Sequence, residues 1–405
     1  MKILNNSFIS DVKGFKTAGI AAGLKKSSKK DLAIIYSEKN AVSAGTFTTN
    51  KVKAACIVLN MENIKNHNTQ AIIINSGHAN ACTGDNGFKD AKIINDITAK
   101  ELGLKPEEVL QASTGVIGVP IPMDIMENGI KKVCSKISSD GGDDTVQAIL
   151  TTDTKAKYIT VEIEMDSKKV VLSGAAKGSG MIKPNMATML SFVVTDANIS
   201  KEMLNKAVKN SAKDSYNMIS VDGDVSTNDM FLAIANGAAE NKIIDSENDN
   251  YKIFKKALDF INMELAKKIA RDGEGATKLI EAYVVNACSI DSAKKCAMSI
   301  VSSNLVKAAL FGSDPNWGRV ICALGYSDGE FSIDKVSLTF KSSLGEIEVF
   351  KNGMNINFDE DKARKILETD SIVLYVDLSD GQYSAKAWGC DLTYKYVEIN
   401  GHYRT

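Results

Sequence analysis

The chain has 405 residues, 44% hydrophobic and 24% charged, which is enough for two or three domains around a sizeable core. Its 49 Lys and Arg balance 50 Asp and Glu to a net charge of -1, which removes the electrostatic case for nucleic acid or an anionic membrane as a partner. Seven cysteines without a Cys-x-x-Cys pair read as reduced thiols, and three histidines at no metal-ligand spacing argue against a zinc site or a Ser-His-Asp triad.

Taken in order, the N-terminus lacks the apolar centre of a signal peptide, and no run reaches the ~18 apolar residues of a membrane span. A cytoplasmic location is the expectation. Residues 32–36, 54–59 and 71–74 are short apolar runs that read as strands, with a turn at 44–50. The third run feeds a Gly/Asn loop, Asn75-Ser-Gly-His-Ala-Asn80, in which His78 reads as an ordinary loop residue. Helical spacing follows at 88–104 and 123–137. Between these helices Thr114-Gly115 sets a hydroxyl beside a glycine, which fits a simple bend as well as a close approach of backbone N–H to a ligand. Thr151-Thr-Asp-Thr-Lys155 is a polar, hydroxyl-rich run that reads as a loop, and 158–164 with 169–172 reads as a hairpin.

The hairpin leads into residues 177–192, Lys-Gly-Ser-Gly-Met-Ile-Lys-Pro-Asn-Met-Ala-Thr-Met-Leu-Ser-Phe. Small residues and a proline give a backbone-exposing turn before Thr188, and an apolar, β-branched strand follows it. A hydroxyl at that junction suits a nucleophile, although Gly-rich turns before strands are also plain structure. A helix is expected at 201–213. The loop 217–229, with Asp222, Asp224, Ser226 and Asn228 in alternation, departs from a calcium loop at its sixth and twelfth positions and reads as an active-site or turn loop. The longest helix covers 251–270 and ends at Gly273-Glu274-Gly275, where the carboxylate is either a solvated turn residue or well presented to a cation. A strand at 279–285 follows. From about 290 a C-terminal α+β unit is expected, with a helix to about 310 and further strands and a helix between 335 and 390.

The 177–192 string closely resembles the self-cleavage site of the glutamate/ornithine N-acetyltransferases of arginine biosynthesis, and the likeness runs essentially the whole length of the chain. The resemblance implies an α+β, layered α-β-β-α sandwich of the self-processing aminopeptidase/ornithine acetyltransferase kind, with a smaller C-terminal domain. It implies a cut between Ala187 and Thr188, giving pieces 1–187 and 188–405, of which 188–285 completes the sandwich and 286–405 forms the C-terminal domain. Thr188 becomes the nucleophile, and Thr114 and Gly115 supply the oxyanion hole. Thr151, Lys177, Thr188, Glu274, Asn400 and Thr405 hold the substrates, N-acetylornithine and glutamate. No metal and no cofactor is implied, and acetyl-CoA is left open as a second acetyl donor. Two copies of each piece are expected to associate. The alternative reading is a self-processed aminopeptidase or amidase using the same nucleophile on other amides.

Overall fold

A computed structural model describes residues 1–66, 68–183 and 189–402. The chain opens with β1 (Lys2–Leu4), β2 (Phe15–Ile20), β3 (Leu32–Ser37), β4 (Val42–Phe47), α1 (Ala55–Asn63), β5 (Ala71–Asn75), α2 (Gly84–Leu102), β6 (Val109–Ser113), α3 (Met123–Ser135) and α4 (Gly142–Ala148). It continues through β7 (Lys157–Met165), β8 (Lys168–Lys177), β9 (Leu190–Thr195), α5 (Lys201–Asp214), β10 (Ile219–Ser220), β11 (Met230–Ala235) and α6 (Asp249–Arg271). Then come β12 (Leu279–Ala287), α7 (Ile290–Ser302), α8 (Asn304–Phe311), α9 (Trp317–Gly325), β13 (Ser337–Ser342), β14 (Gly345–Lys351) and β15 (Met354–Asn355). Last are α10 (Glu360–Leu367), β16 (Ser371–Asp377), β17 (Tyr383–Cys390) and α11 (Tyr394–His402).

Among the described residues three sheets form, ordered β2-β3-β5-β6, β1-β7-β8-β9-β11-β4 and β10-β17-β12-β16-β13-β14-β15. Strand side chains alternate between faces, and that alternation builds the layers. Leu190, Phe192 and Val194 of β9 pack against Ile35, Ile72 and Leu110 of the small sheet. Val193 points the other way, into a core with Leu204 of α5 and Leu258, Ile261 and Leu265 of α6. On its outer face the small sheet meets Ile94 of α2 and Ile130 of α3. The result is the expected α-β-β-α stack. α6 forms because Tyr251, Phe254, Leu258, Ile261, Leu265 and Ile269 recur on one buried stripe, and the Asn248 side chain caps its start by accepting from Tyr251 N.

Several expectations change. Of the run 54–59, residues 55–59 are helical within α1 and Ala54 is its extended N-cap, because a short apolar run carries no period of its own and the helix continues to Asn63. The expected turn at 44–50 is largely β4, which pairs with β11 at the sheet edge. The single helix expected to 310 is two, α7 and α8, broken at Ser303, whose hydroxyl caps Val306 N. β12 pairs with β16 and β17 instead of completing the main sandwich, so the expected boundary after residue 285 falls inside a strand. The third sheet is also not walled off. Ile280, Leu374 and Ile300 share one continuous core with α5, α6 and the six-stranded sheet. No helix of the described residues is long and apolar enough to cross a membrane.

Candidate active site

β5 and β6 are parallel neighbours, and the loops leaving their carboxyl ends are zipped together, the location where α/β sheets gather functional groups. Asn75 Oδ1 accepts from Gly77 N and His78 N, its Nδ2 donates to Ser113 Oγ at 2.8 Å, and its carbonyl accepts from Thr114 N. Gly115 has φ +130, and a Cβ there would lie 2.4 Å from Gly77 O. Only glycine allows that backbone approach. His78 is half-buried, its Nδ1 lacks a hydrogen-bond partner among the described residues, and burial pushes its imidazole toward the neutral form against the pull of Asp31.

From the six-stranded sheet, β8 delivers Lys177 to the same place. The side chain is 3% exposed, and Nζ donates to Thr114 Oγ1 at 3.4 Å. Burial lowers the Lys177 pKa, opposed chiefly by the Asp153 carboxylate. Burial would raise the Asp153 carboxyl, but Lys177, Lys157 and the amide of Gly178 outweigh it and hold the group well below the usual carboxylate range. Buried Lys157 bridges Asp153 and Asp272 at 2.6 Å each. Asp153 also accepts from Thr151 N, while the Asp272 carboxylate accepts from Thr154 N and its backbone carbonyl accepts from Ser179 Oγ. This ion triad ties the loop before β7, the turn after β8 and the end of α6 to one another.

Glu274 follows that end. Its carboxylate packs over Gly180, where a Cβ would come within 2.4 Å, and accepts from Asn400 Nδ2 at 2.8 Å. Asn400 lies on α11, which is held by Thr393 Oγ1 donating to Gly275 O. Thr114, Gly115, Thr151, Lys177, Glu274 and Asn400, spread over most of the sequence, therefore line one cavity of about 260 Å³. Ala187, Thr188 and Thr405 lie outside the described residues.

Sequence reasoning did not pick out Asp153, Lys157 and Asp272. Each sits in a run that reads as loop or strand start, and no local spacing links residue 272 to residues 153 and 157. Asn228, in the loop left open as active-site or turn, also lines the cavity; its Nδ2 donates to Ala79 O and Ser113 O, bracing both loops of the small sheet.

The layered mixed α/β core thus carries, where its two sheets meet, a cavity that gathers hydroxyl, ammonium and carboxylate groups. The chain belongs to the ArgJ family, whose profile matches residues 16–405, in agreement with the wording of residues 177–192. The arginine biosynthesis bifunctional protein ArgJ 1 of Clostridium acetobutylicum is 56% identical over 405 residues, covering 100% of this chain and 99% of that one. The ArgJ protein of Caldanaerobacter subterraneus subsp. tengcongensis is 51% identical over 100% of both. The crystal structure of arginine biosynthesis bifunctional protein argJ from Bacillus halodurans matches 53% of this chain and 100% of its own at 46% identity and a TM-score of 0.51.

Proposed function

We propose that the chain cuts itself between Ala187 and Thr188, and that the freed Thr188 carries an acetyl group from N-acetylornithine to glutamate in arginine biosynthesis. What supports this most is that six residues implicated by the resemblance line a single cavity at the end of β8, whose partner β9 begins just beyond Met189, the residue after Thr188. The Bacillus halodurans chain, matched end to end by about half of this one, supports a polypeptide divided once.

In the transfer, the new α-amine of Thr188, with a reference pKa of roughly 7.7–8.0, accepts the hydroxyl proton. Oγ attacks the acetyl carbonyl, and the oxyanion is met by donors at Thr114 and Gly115. The amine of ornithine leaves with the proton, and the amine of glutamate then takes the acetyl group from the Thr188 ester to give N-acetylglutamate. Buried Lys177 pairs with the substrate α-carboxylate, and Glu274 with Asn400 meets the side-chain ammonium of ornithine. One amide is broken as another is made, so no cofactor is consumed.

The test is to supply N-acetylornithine labelled in its acetyl group together with glutamate. Label in N-acetylglutamate supports the reading; label only in free acetate marks an amidase. Thr188→Ala is expected to abolish both cutting and transfer, and Thr188→Ser to keep a fraction of each. Labelled acetyl-CoA in the same assay decides whether it serves as a second donor.

A further inference from the structure

The loop between β10 and β11 holds the chain on both sides of the proposed cut. Upstream, Asp222 Oδ2 accepts from Met181 N at 2.6 Å and Oδ1 from Ile182 N at 2.8 Å, while Val221 N donates to Ile182 O at 2.7 Å. Met181 is in the left-handed region at φ +58, which a residue with a side chain keeps only when its surroundings hold it. Downstream, Asp229 Oδ1 accepts from Met189 N at 2.8 Å, and Met230 N donates to Met189 O at 3.1 Å. The loop is itself anchored. Lys307 Nζ donates to Val221 O, Thr48 Oγ1 to Ser226 O, and Asn228 bridges Ala79 and Ser113.

We propose that Asp222 and Asp229 are a two-point clamp that sets the flanks of the cleavage segment for attack. The inference rests on the self-cleavage reading above. Neither carboxylate lines the substrate cavity, so both are positioning residues. In the step they serve, Thr188 Oγ adds to the Ala187 carbonyl carbon and the Ala187 C–N bond breaks. The Thr188 nitrogen gains the hydroxyl proton to become a free amine, and water hydrolyses the resulting ester. Fixing both ends of a short segment removes most of its conformational freedom and turns a chance encounter into a held geometry. The Asp229 carboxylate holds the amide of Met189, the first described residue after the proposed cut.

The two carboxylates differ in which substitutes can keep their bonds. Asp222 uses both oxygens as acceptors for backbone N–H, so an amide turns a donor toward a donor. Asp229 uses one oxygen on Met189, and its Oδ2 has no partner among the described residues, so an amide oxygen serves equally well.

Cell-free synthesis of the full chain, followed by timed denaturing gels and mass spectrometry of the pieces, tests this. Asp222→Ala, Asp222→Asn and Asp229→Ala are expected to slow cutting by about tenfold or more, and Asp229→Asn by less than about threefold. The uncut precursors should unfold within about 3 °C of the Thr188→Ala precursor, which separates loss of positioning from loss of fold. If an alanine variant fails that check, the near-isosteric Asp222→Asn decides. Wild-type cutting rates in Asp222→Asn and Asp229→Ala, or equal slowing in Asp229→Asn and Asp229→Ala, overturn the clamp while leaving self-cleavage standing. A wild-type chain that is never cut at 187–188 removes the self-cleavage reading itself, and the clamp with it.

Discussion

Lys177 brings a positive charge to a buried position at the cavity wall, and the balance around it gives that charge its use. Burial favours the neutral amine, while Asp153 first, and then Asp229 and Glu274, favour the ammonium; in the proposed reaction a substrate carboxylate arriving beside it adds a further counter-charge. Lys177→Met should therefore lower kcat/KM for N-acetylornithine by about 100-fold, mostly through KM, as read by steady-state kinetics. Gly115 acts through backbone. Gly115→Ala drives a Cβ toward Gly77 O in a backbone region that L residues rarely adopt, and it should lower kcat by about 10–100-fold with KM nearly unchanged. Equal loss in KM would place Gly115 in ground-state binding instead. These residues were legible because each is a small or charged residue in a glycine-rich string whose wording resembles a known family. Asp229 was not, since its buried carboxyl acts on a neighbouring backbone amide that no local pattern names.

At the scale of elements, the Asp153–Lys157–Asp272 triad joins β7, the turn after β8 and the end of α6. Lys157→Met breaks both buried ion pairs and leaves Asp153 with Lys177 as its cation, and it should cost about 3–5 kcal/mol, measured by denaturant unfolding. The sign with pH follows from Asp153. Its folded pKa lies below the ordinary value of roughly 3.9, so it stabilises the fold above about pH 4, and that stability is lost as pH falls toward the folded value. Removing Lys157 takes away one of the two cations that depress it and raises the folded pKa part of the way, so acid unfolding of Lys157→Met should begin at higher pH than wild type. An unchanged acid limb in a circular-dichroism titration would contradict this. Elements with strong periodicity, such as α6 and the β7–β8 hairpin, were readable from sequence. The run 54–59 and the edge strand β4 were not, because short apolar or small-residue stretches take helix or strand according to what they pack on.

For the whole molecule, the order of layers followed from resemblance alone, while the sharing of one core between α6 and the C-terminal sheet did not. Contacts between segments far apart in sequence leave no periodic trace. That shared core has a consequence for a cut chain. β8 and β9 pair from Leu172↔Thr195 to Lys177↔Leu190, and both large cores draw residues from each side of position 187. The two pieces should therefore co-elute without denaturant and unfold in a single calorimetric transition; separate transitions would show independent units. Native mass then tests the expected pairing of two copies of each piece. Self-cleavage stands or falls with the intact mass of catalytically active protein under denaturing conditions. It predicts two masses, for residues 1–187 and 188–405, the second gaining one acetyl group on incubation with N-acetylornithine. A single full-length mass in a preparation that turns over would contradict it.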